Sequence, residues 1–196
     1  MEPKNIRNER RLIRQGGTFM VSLPKDYLID LGWKTGDKIL VERRENSVML
    51  NRVHKPRIFS IGYEGMKKEE FVNLLDVNKI SELVDVRNNA FSWNRDFSMK
   101  SLSENLAEKG IKYVNLPRLG APKDIRVEIK EKNNPEKFFH EYSEWLRSNN
   151  PYLDLLEVLA RQTNTAMMCL EADYRSCHRK ILGEKLQERG FEVVQL

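Results

Sequence analysis

From Ile58 to the C-terminus the chain alternates short apolar runs with longer amphipathic segments, and this rhythm constrains the fold more than any other feature. Ile58–Ile61 reads as a strand running into Gly62-Tyr63-Glu64-Gly65. Lys68–Leu75 reads as a helix with Phe71, Leu74 and Leu75 on one side. A second strand is predicted at Leu83–Arg87, a helix at Lys100–Lys109 closed by Gly110, and a third strand at Ile111–Leu116. Residues 135–148 and 151–161 predict two more helices. A strand over 165–170, a helix from about 177 to 189 closed by Gly190, and a last strand over 191–195 complete the pattern. Strands separated by helices imply a mostly parallel sheet covered on both faces. The expectation for residues 57–196 is therefore a three-layer α/β domain.

Residues 1–55 follow a different pattern. Glu9–Arg14 predicts a short strand, Gly16-Gly17 a turn, and Thr18–Leu23 a second strand with Phe19, Val21 and Leu23 on one face. Pro24 stops that strand and suits the first turn of a helix, because its missing N–H would have no partner there. Lys25–Leu31 supplies one or two helical turns closed by Gly32. Lys38–Arg43 and Ser47–Asn51 are two strands around a tight turn at Glu45-Asn46. So small a unit cannot bury its apolar faces alone, so dimerisation is expected. Arg52–Arg57 is polar, contains Pro56 and reads as a linker, with His54 a surface residue in it.

Gly16-Gly17-Thr18, Val21–Lys25, Leu31-Gly32 and Gly36-Asp37 together resemble the AbrB/MazE/SpoVT swapped-hairpin domain over roughly residues 8–52. The resemblance implies an intertwined homodimer that binds DNA through basic residues of the first strand and neighbouring loops. Here those are Arg10, Arg11 and Arg14, with Lys25 and Arg43 beside them. Some relatives act instead as dimerisation and partner-binding modules, which leaves an antitoxin-like role open.

Charge agrees with a polyanionic partner. Residues 1–56 carry 12 Lys/Arg against 7 Asp/Glu, whereas residues 57–196 carry 22 of each, so the whole net charge of +5 sits in the first segment. Two cysteines in 196 residues are no disulfide framework, and no run is long enough to span a bilayer. A cytoplasmic protein is expected, with no membrane partner.

In parallel sheets, ligands gather beyond the carboxyl ends of the strands. Those ends carry Tyr63 and Glu64, then Asp85 and Arg87, then Leu116–Gly120 with Arg118, then Cys169 and Glu171. The last of these opens the stretch Met168–Arg179, which holds both cysteines together with His178, two carboxylates and two arginines. Ser60–Tyr63, Leu83–Arg87, Tyr113–Gly120 and Cys169-x-Glu171 with Cys177-His178-Arg179 resemble domain-of-unknown-function family 488. That resemblance supplies candidate residues and no reaction. Ala121 stands where the family usually has a second glycine.

Several chemistries compete for this cluster. Cys169 and Arg175 have the Cys-x5-Arg spacing of a thiolate phosphate loop, but Glu171 and Asp173 would repel an anion there. Cys169, Glu171, Cys177 and His178 offer metal-ligand chemistry, yet C-x7-C-H is not a usual zinc knuckle, so neither metal nor cofactor is expected. A Cys169–Cys177 disulfide requires the loop to fold back. The favoured expectation is an anionic, nucleotide-like ligand held by Arg87, Arg118 and Arg179, with Tyr63, Cys169, Cys177 and His178 lining the site. Glu171, Arg179 and Asp85 are the candidate catalytic groups. Trp93 is placed for a lid over a base, and His140 at the surface or the edge of the core. The protein thus reads as a transcription-regulator-like DNA-binding homodimer with a ligand-binding α/β domain. The alternatives are an enzyme tethered to nucleic acid and a partner-binding module.

Overall fold

The computed structural model describes residues 8–53 and 55–196, and His54 lies outside them. The chain divides into two compact units, Met1–His54 and Lys55–Leu196.

In the first unit, strands β1 (Ile13–Gln15) and β2 (Thr18–Met20) form one antiparallel hairpin. Strands β3 (Ile39–Arg44) and β4 (Ser47–Arg52) form another, and helix α1 (Lys25–Asp30) lies between them in sequence. Both N-terminal strands are shorter than expected. Gly16 turns the first hairpin at φ +60° and Gly32 ends α1 at φ +64°, conformations that favour glycine because it lacks a Cβ. Among the described residues of this unit no hydrophobic side chain is buried.

The second unit is built on a five-stranded parallel sheet in the order β7-β6-β8-β5-β9. The strands are β5 (Arg57–Gly62), β6 (Glu82–Asp85), β7 (Lys112–Asn115), β8 (Thr165–Cys169) and β9 (Glu192–Gln195). Side chains alternate across the sheet, so neighbours such as Ile58 and Phe59 enter different cores. On one face Phe59, Ile61, Leu83 and Met168 pack against α2 (Lys68–Val77) and α3 (Met99–Ala107), through Phe71, Leu75, Leu102 and Leu106. The opposite face, with Ile58, Val84, Val86 and Met167, meets four helices: α4 (Lys123–Lys130), α5 (Pro135–Ser148), α6 (Asn150–Gln162) and α7 (Arg179–Glu188). Fully burying one such aliphatic or aromatic side chain contributes about 1.5–3 kcal/mol, so this unit holds its own core. No helix among the described residues is long and apolar enough to cross a membrane.

Helix α4 is the element that the sequence pattern did not show. Pro122 precedes it and the segment is mostly charged. Only Ile125 and Glu128 of the helix are buried.

Candidate functional site

The carboxyl ends of β5, β6 and β8 meet above the sheet, and two close backbone approaches fix their relation. A Cβ on Gly62 would lie 1.9 Å from the Glu171 carbonyl oxygen, and one on Gly120 would lie 1.9 Å from the Asn88 nitrogen. Glycine at both positions therefore lets the loop after β8 lie against β5, and the turn after β7 against the end of β6. Tyr63 N–H and Glu64 N–H donate to the carbonyls of Cys169 and Leu170, extending the β5–β8 pairing into the site.

One wall is a buried ion pair. Asp85 is fully buried and accepts from the Arg87 backbone N–H at 3.0 Å, from Arg87 Nε at 2.9 Å and from Tyr113 Oη at 2.5 Å. Arg87 also donates to Tyr63 Oη at 2.8 Å, and its guanidinium lies 5.2 Å from the centre of that ring. Tyr63 stacks on Phe97 with ring centres 4.3 Å apart. Burial and then the Asp85 carboxylate push the Tyr113 hydroxyl well above its ordinary value, so it stays a donor. Every charged group in this wall has a protein partner.

The floor is the sulfur cluster. After Cys169 the chain runs through a 3-10 turn at Tyr174–Ser176 and returns Cys177 and His178 to the same place. Cys169 Sγ lies 3.0 Å from Glu171 Oε2 and 3.9 Å from His178 Nδ1, and Cys177 Sγ lies 3.6 Å from the same nitrogen. His178 Nε2 sits 3.0 Å from the Val86 carbonyl, and its ring meets Tyr142 edge-on at 5.2 Å. A carbonyl only accepts, so Nε2 carries the proton. Burial alone would raise the Cys177 thiol. The Cys169 hydrogen bond and the charges of His178 and Arg179 outweigh it and hold Cys177 well below its usual range. Cys169 is pushed the other way by its bond to Cys177 and by burial, and burial raises the Glu171 carboxyl.

Between wall and floor lies a narrow cleft of about 90 Å³, lined by Tyr63, Arg87, Asn88, Asn89, Cys169, Glu171 and His178, with Arg126 and Lys130 of α4 on the far side. Arg126 Nε is buried and has no hydrogen-bond partner among the described residues.

The Domain of unknown function DUF488 model matches residues 67–186, more than half of the chain and all of the cleft except Tyr63. The chain belongs to this family. The match leaves residues 8–52 uncovered. No curated protein and no solved structure matches the chain.

Within the second unit the candidate residues separate into groups. Tyr63, Arg87, Cys169, Glu171 and His178 line the cleft, while Asp85 and Cys177 sit directly behind it. The expected convergence of three arginines on an anion does not occur. Arg87 is held by Asp85. Arg179 is 1% exposed and donates to Ser60 Oγ at 3.1 Å, to the Glu171 carbonyl, and from Nε to Cys177 Sγ at 3.4 Å. It therefore positions the loop and does not line the cleft. Arg118 is exposed on the 3-10 turn Pro117–Leu119, outside the cleft, where its carbonyl accepts from Trp145 Nε1.

The phosphate-loop spacing also leads elsewhere, because Arg175 is exposed and pairs with Asp173 at 3.0 Å. Trp93 is 94% exposed and lines a neighbouring hollow with Phe91, and His140 is exposed. Ala121 is buried and closes one side of the cleft without displacing Gly120 from Asn88. The residues missed in the sequence are Arg126 and Lys130. Their i, i+4 spacing beside Ile125 was the available signal, since it puts both cations on one helix face.

Proposed function

We propose that the protein is a DNA-binding homodimer, regulator-like in organisation, whose DUF488 domain binds an anionic, nucleotide-like ligand in the cleft. The observation that carries this reading is the surface of the first unit. Leu12, Phe19, Val41 and Val48 are between 63% and 71% exposed, and none of the unit's described hydrophobic residues is buried. A unit of this size with its apolar residues outside finds its core in a second copy. The resemblance of residues 8–52 to swapped-hairpin domains supports the same arrangement. Arg10, Arg11, Arg14, Lys25 and Arg43 are all exposed, and the chain's entire net positive charge falls in its first 56 residues. Such a surface suits the phosphate backbone of DNA.

In the cleft, Arg126 replaces the arginines expected from sequence. A buried guanidinium nitrogen without a partner is costly unless a ligand supplies an acceptor. Lys130 adds charge one turn away, and Asn88 and Asn89 add donors and acceptors for a base or sugar. One observation favours an enzyme as the second reading. Glu171 borders the cleft with its carboxyl raised by burial, the condition of a general acid or base acting on a nucleotide or nucleic acid.

Sedimentation and a labelled-duplex titration over a range of salt test the proposal together. A dimer whose DNA affinity falls steeply with salt, and falls further in an Arg10→Ala/Arg11→Ala/Arg14→Ala variant, supports it. A monomer with no salt-dependent DNA binding removes it. A nucleotide that changes DNA affinity marks a regulator. Turnover lost in Glu171→Gln marks an enzyme. Neither effect, with another protein co-purifying, marks a partner-binding module.

A further inference from the structure

The sulfur cluster has a property that anion binding does not use. Ligand atoms of Cys169, Glu171, Cys177 and His178 all lie within 4.8 Å of one another. The C-x7-C-H spacing argued against a zinc knuckle, in which a tight turn brings the ligands together. Here a longer loop does so, laid over Gly62 and pinned by Arg179.

Three features of the cluster point to a cation. The first is the imidazole. Because His178 Nε2–H donates to the Val86 carbonyl, Nδ1 is the ring nitrogen that faces both sulfurs, at 3.6 and 3.9 Å. A backbone carbonyl that fixes the tautomer in this way is the usual outer partner of a metal-binding histidine. The second is spacing. Tetrahedral zinc with Zn–S near 2.3 Å and Zn–N near 2.0–2.1 Å sets its donors roughly 3.3–3.8 Å apart, so the observed separations need only small side-chain adjustments. The third is charge. Bound as two thiolates and a carboxylate, the set would carry three negative charges, which a divalent ion and the adjacent Arg179 guanidinium would balance.

We propose that Cys169, Cys177, His178 and Glu171 bind one divalent thiophilic metal ion, zinc by the character of the donor set, at the floor of the cleft. The cysteines bind as thiolates, their two protons passing to solvent, with neutral imidazole and ionised carboxylate completing the set. Cys169, Cys177 and His178 are buried, whereas Glu171 is half-buried and borders the cleft. Glu171 is thus the ligand that water or an incoming anionic group can replace, as in zinc sites that keep one exchangeable position. The inference deepens the ligand-binding reading of the same cleft, but its test uses metal alone and so stands or falls separately from nucleotide or DNA binding.

The test takes the full chain, untagged and prepared without chelator. Its metal content is measured, and the stripped protein is then titrated with cobalt(II) under reducing conditions. The expected result is one zinc ion per chain, with thiolate-to-cobalt charge transfer and the intense visible bands of a tetrahedral site. Cys169 and Cys177 are the only cysteines in the chain, so a thiolate band can arise nowhere else. Cys177→Ser and His178→Gln should each weaken cobalt binding at least ~10-fold. If either variant does not fold, the wild-type spectrum and a zinc-dependent rise in its melting temperature still decide the matter. Three results would overturn the proposal. One is a cobalt titration without a thiolate band while both thiols remain free. Another is a Cys169–Cys177 disulfide in protein kept reduced throughout. The third is metal binding unchanged in folded Cys177→Ser and His178→Gln.

Discussion

The cleft has two sides, and its two arginines behave oppositely. On the β6 side, Arg87 is buried against Asp85, and Tyr63 and Tyr113 occupy the remaining hydrogen-bonding directions. On the α4 side, Arg126 has a buried nitrogen with no hydrogen-bond partner among the described residues. The first arrangement is complete without a ligand and fixes the ends of the strands. The second is incomplete and is where a ligand would act. Nearness to a cleft therefore does not mark an arginine as a ligand-binding group. What matters is whether the protein already supplies its acceptors.

The contrast can be broken most severely on the β6 side. Arg87→Met leaves the Asp85 carboxylate buried and uncompensated, which should cost about 3–5 kcal/mol of unfolding free energy in denaturant titrations. An unchanged midpoint would mean that the pair is not structural. Gly62→Ala drives a Cβ into the Glu171 carbonyl and separates β5 from the sulfur loop. A loss near 3 kcal/mol is expected, with altered reactivity of Cys169 and Cys177. Arg126→Ala should leave stability within ~0.5 kcal/mol, because no hydrogen-bond partner among the described residues is lost. It should instead weaken binding of a nucleoside phosphate about 10-fold by calorimetry, the cost of one charge-assisted contact. If it destabilises the protein as much as Arg87→Met does, the contrast fails.

The smallest effect concerns how α4 is held. Glu128 accepts from Lys132 and from Lys137 of α5, and these hydrogen bonds hold its carboxyl below the usual range. A depressed folded-state pKa contributes stability above the ordinary carboxylate range and loses it as pH falls through the folded value. Glu128→Gln should therefore lower the melting temperature slightly at neutral pH, with the difference shrinking as pH falls below the ordinary glutamate value of about 4.3. A difference that grew on acidification would contradict this assignment.

The same contrast separates the two units. The DUF488 domain buries its apolar side chains between sheet and helices, whereas the first unit leaves Phe19, Val41 and Val48 exposed. Its hairpins were legible because turns at Gly16-Gly17 and Glu45-Asn46 and period-2 alternation are local signals. What covers their apolar faces is not encoded locally.

Local sequence determined the strands and most helices of the second unit, since apolar periodicity reports which side of an element meets a core. It missed α4, where buried positions are too few to show a period. It also placed Tyr63, Asp85, Arg87, Cys169 and Glu171 at strand ends, because pleat and chain direction follow from the strands themselves. Only the tertiary structure decided which of those groups remain available. Asp85 claims Arg87, while Ser60, Glu171 and Cys177 claim Arg179. Asp85 lies two residues from Arg87 on the same strand end, whereas Ser60 comes from β5 and Glu171 and Cys177 from the folded-back loop. Bringing Cys177 and His178 onto Cys169 likewise required the loop to lie over Gly62, so the site depends on contacts between segments that no local pattern records.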